Sequence, residues 1–324
     1  MSDRSATDEA VRLPGIDALR YAMAFPVVVI HALPDPQVSL AQDLAHITCL
    51  GAVPYFFVAS GNFLGRRAEA WPEAFLRPVR RLLPLHLFWM AAYYVALKAY
   101  PVQDWEFSPS HLLYGGVAYH LWFLPALCFG LVVVGLGRAV VGLRLTAMAA
   151  AALALVGLAK GGYHDLLHLG GTPVRGGVLV APAFICVGAL LAERHVTLGW
   201  RALLGMVLAC HALLLGETWL VGAASGAEAL PAHDFMLSSF PLGAAILLLG
   251  RALPDAAPIR RVADLGRISL GVYAAHLWSV WLLAPLTGRG SFWQIVLLAL
   301  GAFALATGLS LLLSQFPGLK RFVA

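Results

Sequence analysis

Residues 13–31 read LPGIDALRYAMAFPVVVIH. Apart from Asp17, Arg20 and His31 the run is apolar, and it has the length of a helix that crosses the hydrocarbon core of a bilayer, about 17–25 residues. Ionisable side chains inside such a run are costly and are retained for function. From Arg20 to His31 an ideal helix makes about three full turns and rises about 16 Å, so the two side chains share one face at different depths. Pro26 lies between them and kinks the helix, which makes that shared face approximate.

The rest of the chain repeats the pattern. Of its 324 residues 60% are hydrophobic and 12% charged, with a mean hydropathy of +0.80. Soluble domains carry about 25% charged residues, so a soluble enzyme and a disordered chain are both excluded. Spans are expected at 17–34, 45–65, 82–100, 119–137, 143–159, 177–193, 201–223, 235–251, 265–285 and 292–314. The expected fold is an all-α polytopic membrane helix bundle of about ten transmembrane helices. It forms one domain over 1–324, with 1–14 a cytoplasmic segment and no fused soluble domain.

Lys and Arg in the connections set orientation. With the N-terminus inside, the basic groups Arg66, Arg67, Arg77, Arg80 and Arg81, Arg138 and Arg144, Arg194 and Arg201, Arg251, Arg260, Arg261 and Arg267 all fall on the cytoplasmic side. Of the 22 Lys and Arg, Lys98, Lys160, Arg175 and Arg289 fall opposite and Arg20 lies within the first span. Both termini are therefore expected in the cytoplasm. The net charge of +5 serves topology, and nucleic acid is not an expected partner. Arg20 interrupts the first apolar run, and Asp3, Asp8 and Glu9 offset its basic flank, which argues against a cleaved signal peptide. Cys49, Cys128, Cys186 and Cys210 lie in apolar spans without a CxxC spacing and read as small buried hydrophobes.

A second run, Phe56-Phe57-Val58-Ala59-Ser60-Gly61, places small residues where another helix or a ligand can approach closely. A third, Arg77-Pro78-Val79-Arg80-Arg81-Leu82-Leu83-Pro84, is basic enough for a polyanionic ligand. Together with the Arg20 and His31 stretch, and with His120-Leu121-Trp122-Phe123-Leu124 and Ile268-Ser269-Leu270-Gly271-Val272-Tyr273-Ala274-Ala275-His276, these runs resemble the acyltransferase-3 family of integral membrane acyltransferases. The resemblance covers about residues 13–285 and is strongest in the first 90. Asn62 stands where that family usually has an aromatic residue, and Ala59 where it has a bulkier one.

The resemblance implies a ten-helix core that moves an acyl group, often acetyl, from a cytoplasmic acyl-CoA to a hydroxyl of a cell-envelope glycan or lipid-linked sugar. It makes His31 the essential histidine, assigns Arg20 and the Arg77/Arg80 pair to the donor site, and puts Ser60 near the pocket; Arg81, beside that pair, is a further donor-site candidate. The chemistry agrees, because a hydroxyl attacks a thioester only if a base takes its proton, and a neutral imidazole does this near pH 7. Alternatively His31 is itself acylated for part of the cycle. Acyl-CoA, with acetyl-CoA the expected form, is the donor co-substrate, and no metal is expected.

Glu217, His120, His276 and Asp35 are the candidate acceptor-binding residues. Asp35 follows His31 by four residues but is flanked by Pro34 and Pro36, which tend to end the helix there. His46, His86 and His211 read as structural. Residues 161–168, with His164 and His168, imitate a metal-binding HxxxH pair but lack a third ligand, and read better as an amphipathic interfacial helix. Trp105, Trp122, Trp219 and Trp278 suit interfacial anchoring or sugar stacking. The expected location is the bacterial cytoplasmic membrane, among its lipids. The competing function is a transporter or flippase for a lipid-linked glycan or small anion, since such proteins also bury Arg and His between many spans.

Overall fold

The computed structural model describes residues 13–34, 39–66, 71–99, 108–169, 177–192, 194–195, 197–226 and 235–323. Asp35, Arg67, Trp105 and Arg175 lie outside them. Among the described residues the chain is helical and contains no strand. The α-helices are α1 (Pro14–Ala22), α2 (Ala24–Ala32), α3 (Leu40–Cys49), α4 (Ala52–Gly65), α5 (Trp71–Ala99), α6 (His111–Tyr114), α7 (Phe123–Val141) and α8 (Leu143–Lys160). They continue with α9 (Gly177–Ala192), α10 (Trp200–Ser225), α11 (Ser239–Ala252), α12 (Ala257–Leu265), α13 (Ser269–Thr287), α14 (Phe292–Ser314) and α15 (Pro317–Lys320). Short 3₁₀ turns, Gly116–Trp122 and Gly266–Ile268, lead into α7 and α13.

Seven helical stretches among the described residues are long and apolar enough to cross a membrane: Pro14–Ala32, Leu40–Gly65, Ala118–Val141, Leu143–Lys160, Trp200–Ser225, Ala257–Thr287 and Phe292–Ser314. Three of the expected spans are not among them. The span at 82–100 falls in α5, whose N-terminal half carries Arg77, Arg80 and Arg81. Those at 177–193 and 235–251 are apolar helices of 16 and 14 residues, short of the roughly 17–25 that cross a bilayer untilted.

Proline places the breaks inside two spans. A proline ring clashes with the carbonyl four residues before it and offers no N–H in return. Pro26 therefore acts at Ala22, and the first span divides there into α1 and α2 about Met23. Pro54 acts in the same way at Leu50, between α3 and α4. Arg20 and His31 consequently sit on two consecutive helices rather than one.

Backbone contact holds the centre of the bundle. Where α4 crosses α9, a Cβ on Gly61 would lie 2.0 Å from the Ile185 carbonyl oxygen, and one on Gly188 would lie 1.9 Å from that of Val58. Between apolar helices in lipid, such close packing replaces the hydrophobic driving force that water would supply. Gly188→Ala is expected to lower stability by at least about 1–3 kcal/mol through overpacking, measured as a fall in melting temperature in detergent. An unchanged Tm would mean that the helices do not cross this closely. Two arginines expected to serve topology also close helix ends: Arg138 donates to the Leu64 and Gly65 carbonyls at 3.1 and 3.4 Å, and Arg251 donates to those of Leu191 and Arg194. Cations at helix C-termini satisfy carbonyls that lack helical partners.

Candidate active site

Two adjoining cavities inside the bundle share Phe123 and Tyr273 in their linings. The larger, of about 280 Å³, is lined by Asp17, Arg20, Ser60, Arg77, Arg81, Ser269 and Tyr273 together with apolar side chains that include Phe56, Phe63, Phe123, Leu127 and Leu131. Its lining thus combines three arginines with an apolar wall. Arg20 pairs with Asp17 at 3.3 Å, one turn back on α1, which holds the guanidinium against the wall. Ser60 donates to the Phe56 carbonyl at 2.8 Å. Its helix thus turns Gly61 to α9 and Ala59 and Ser60 to the cavity, so the small run serves packing and site on different faces.

Four of the five expected donor-site residues, Arg20, Ser60, Arg77 and Arg81, converge here, while Arg80 is exposed and is not among the lining residues. Helix geometry accounts for the difference. Residues four apart nearly eclipse, whereas Arg80 is turned about 100° from Arg81. Asp17 was not expected at the site, although an acid three residues before Arg20 on a helix is a readable pairing signal. Asn62 is fully buried with neither amide atom hydrogen-bonded, and it does not line the cavity.

The smaller cavity, of about 40 Å³, is lined by Val27, Ile30, His31, Leu50, Val53, His120, Trp122, Phe123, Phe235 and Tyr273. His31 stacks on His276 at 5.0 Å between ring centroids. His120 lies edge-on to both, 4.8 Å from His276 and 6.1 Å from His31. Three helical units thus bring their imidazoles together. His31 comes from the end of α2 and His276 from the buried face of α13. His120 comes from the 3₁₀ turn before α7, which starts at Gly115 and Gly116 with φ of +82° and +50°. Glycine alone adopts that backbone freely, and it turns His120 and Trp122 inward.

Hydrogen bonds to backbone carbonyls fix two of the tautomers. Carbonyl oxygen only accepts, so Nδ1 of His276 donates to Tyr273 and Nε2 of His120 donates to Ala274 at 3.1 Å. Tyr93 donates to the same Ala274 carbonyl at 2.9 Å. The remaining nitrogens, Nε2 of His276 and Nδ1 of His120, are then lone-pair acceptors, and both are buried without a hydrogen-bond partner. An orphaned buried acceptor costs about 1–3 kcal/mol, and a ligand carrying O–H or N–H groups would recover it. Among the described residues no group of three or more His, Cys, Asp or Glu side chains is arranged to hold a metal ion.

Glu217 is engaged elsewhere. Its carboxylate accepts from the Tyr163 hydroxyl and from the Ser238 backbone N–H at 2.9 Å, and the Tyr163 oxygen accepts from Leu237 N–H at 3.0 Å. Burial and the adjoining Glu217 carboxylate push the Tyr163 hydroxyl up to about 12, so it stays a donor. This clasp ties residues 161–168 and 235–238 to α10. Residues 161–168 form successive turns and not the expected amphipathic helix, because His164 folds back on the Gly161 carbonyl at 2.8 Å and His168 has a φ of +52°. His86 donates to Leu112 at 2.7 Å and His211 lies against the Thr48 carbonyl at 3.2 Å, both as structural pins. Trp122 lines the smaller cavity, Trp278 packs on Trp89 and Tyr93, and Trp219 is exposed.

Comparison with known proteins supplies the family. The acyltransferase-3 family, described as an acyltransferase domain, matches residues 13–315. A serine/alanine racemase of Enterococcus gallinarum is 26% identical over 299 residues, covering 82% of this chain and 40% of that protein. An amino-acid racemase of Enterococcus faecalis is 26% identical over 298 residues, with the same shares. The chain thus spans about 40% of the length of these curated relatives. No solved structure matches it. With the family covering nearly all of the bundle that carries both cavities, the chain belongs to the acyltransferase-3 family of membrane acyltransferases.

Proposed function

We propose that this protein transfers a short acyl group, acetyl foremost, from acyl-CoA to a hydroxyl of a cell-envelope glycan or lipid-linked sugar in the bacterial cytoplasmic membrane. In this reading about ten spans cross the bilayer, both termini face the cytoplasm, and the arginine-lined cavity opens there. What supports it is the adjacency of two cavities that share Phe123 and Tyr273, one lined by Arg20, Arg77 and Arg81 and the other by His31 and His120. Coenzyme A is a long, narrow molecule with phosphates at one end and the reactive thioester at the other, so cations must precede the base along its path.

Phosphates of the donor bind Arg20, Arg77 and Arg81, through charge-assisted hydrogen bonds that a guanidinium fork makes well. The acceptor enters the histidine chamber from the other side. Its neighbouring hydroxyls donate to Nε2 of His276 and Nδ1 of His120, while His31 takes the proton of the attacking hydroxyl. Oxygen bonds to the thioester carbonyl carbon, the carbon–sulfur bond breaks, and the thiolate leaves with the proton that the imidazolium returns. Glu217 has no part in these steps, and the racemase names of the relatives describe proteins of which this chain matches only a minor part.

Release of free coenzyme A thiol by the full chain in nanodiscs, with a bacterial envelope polysaccharide extract as acceptor, tests the reading. Arg77 and Arg81 are exposed at the cavity rim, so solvent screening limits each contribution. The double variant Arg77→Ala/Arg81→Ala is expected to raise KM for acetyl-CoA by about 10-fold, as one charged hydrogen bond to a ligand is worth, with kcat nearly unchanged. If acetyl-CoA is neither consumed nor bound by folded protein, the transporter or flippase reading takes its place.

A further inference from the structure

The two cavities share two lining residues, Phe123 and Tyr273. Their rings meet edge to face, 5.3 Å apart at 66°. Tyr273 is held on one side, since its hydroxyl donates to the His120 carbonyl and its own carbonyl accepts from His276. Phe123 is held on the other by Phe57, 4.8 Å away, and by Phe56 at 6.0 Å, and it is 4% exposed. A thioester that enters past the arginines therefore meets this aromatic pair before it meets His31. The cavity beyond the pair, of about 40 Å³, is much smaller than the one of about 280 Å³ before it, so the space narrows where the two rings stand.

We infer that Phe123 and Tyr273 form the acyl-size filter of the site, admitting a two-carbon acyl group to His31 and turning longer chains back. The inference rests on the donor reading above and adds to it the residues that set chain length. Neither residue carries a charge or a reactive group, so the filter works by shape. Close packing around Phe123 makes the exclusion steep, because a packed interior yields little to an added methylene. Tyr273 also shapes the histidine cluster through its two hydrogen bonds, and Phe123 is the residue to change.

The test uses coenzyme A and its S-ethyl, S-butyl and S-octyl thioethers, which cannot transfer their chains, and measures their affinity for the full chain in nanodiscs by calorimetry. Wild type is expected to bind the butyl and octyl thioethers at least about 10-fold more weakly than the ethyl thioether, the scale of discrimination an apolar pocket achieves. Phe123→Ala, and Phe123→Leu should alanine fail to fold, are expected to flatten that series, read as the affinity of each thioether relative to that of coenzyme A for the same variant. Equal binding of all lengths by wild type, or a folded Phe123 variant with the wild-type series, overturns the filter while leaving the donor site standing. Failure of wild type to bind coenzyme A removes the donor reading and the filter with it.

Discussion

His31→Ala is expected to lower kcat for acyl transfer by roughly 10²–10⁴-fold, the contribution of a positioned general base, and to leave acyl-CoA affinity near wild type. The separation of the two effects follows from the site. His31 lines the 40 Å³ chamber and not the arginine-lined cavity, so a change there leaves the phosphate contacts in place. The ring is half-buried, stacked on His276 at 5.0 Å and edge-on to Tyr119 at 5.3 Å. Alanine removes those ring contacts while the α2 backbone stays, and the variant is expected to fold with a modest loss in Tm. Labelled acetyl-CoA without acceptor separates the two roles open to His31. Label that stays on the protein and requires His31 makes it a transient acyl carrier, whereas no label makes it a base. Turnover within a few-fold of wild type in folded His31→Ala would end both.

Helical spacing carried the reading of individual helices and stopped at their mutual placement. Within α1 and α2, an arginine and a histidine in an apolar run were legible as a lined path, and the proline rule put the break at Met23 once the carbonyl four residues before Pro26 was considered. On α13, Tyr273 and His276 lie three residues apart on one face, so their pairing was readable too. Which helices face one another was not. A helix in lipid is apolar on its outer and inner faces alike, and no amphipathic stripe indicates the partner. That is why the junction of Phe123 with Tyr273 could not be read from either segment.

The same limit explains the differences at single residues. The resemblance paired Arg77 with Arg80, but the cavity takes Arg77 and Arg81, because the face that α5 turns to the cavity is set by its packing on α7. Glu217 looked like an isolated carboxylate in an apolar helix. Its partners, Tyr163 and the Ser238 N–H, come from segments 54 and 21 residues away, outside the helix that carries Glu217, so no spacing within that helix points to them. Seven of the ten expected spans coincide with helices long and apolar enough to cross, while α9 and α11 are largely apolar but run for 16 and 14 described residues.

His276→Asn is expected to cost about 10–100-fold in kcat/KM for the acceptor, with KM for acetyl-CoA unchanged. The size follows from burial. His276 is fully buried, so no solvent replaces a hydrogen bond that Nε2 makes to a bound hydroxyl, and an unmet buried partner costs about 1–3 kcal/mol. The choice of asparagine isolates that nitrogen. Its side-chain N–H₂ takes the position of Nδ1 and still donates to the Tyr273 carbonyl, whereas nothing takes the position of Nε2. Glutamine is the complement, because its longer side chain sets an oxygen acceptor near Nε2 and gives up the bond to Tyr273. If Nε2 binds the acceptor, glutamine retains more activity than asparagine. If His276 only fastens Tyr273 within α13, the order reverses and asparagine is the milder change. A steady-state comparison of the two variants at saturating acetyl-CoA, with Tm measured on the same preparations, decides between a nitrogen that meets substrate and one that holds the helix.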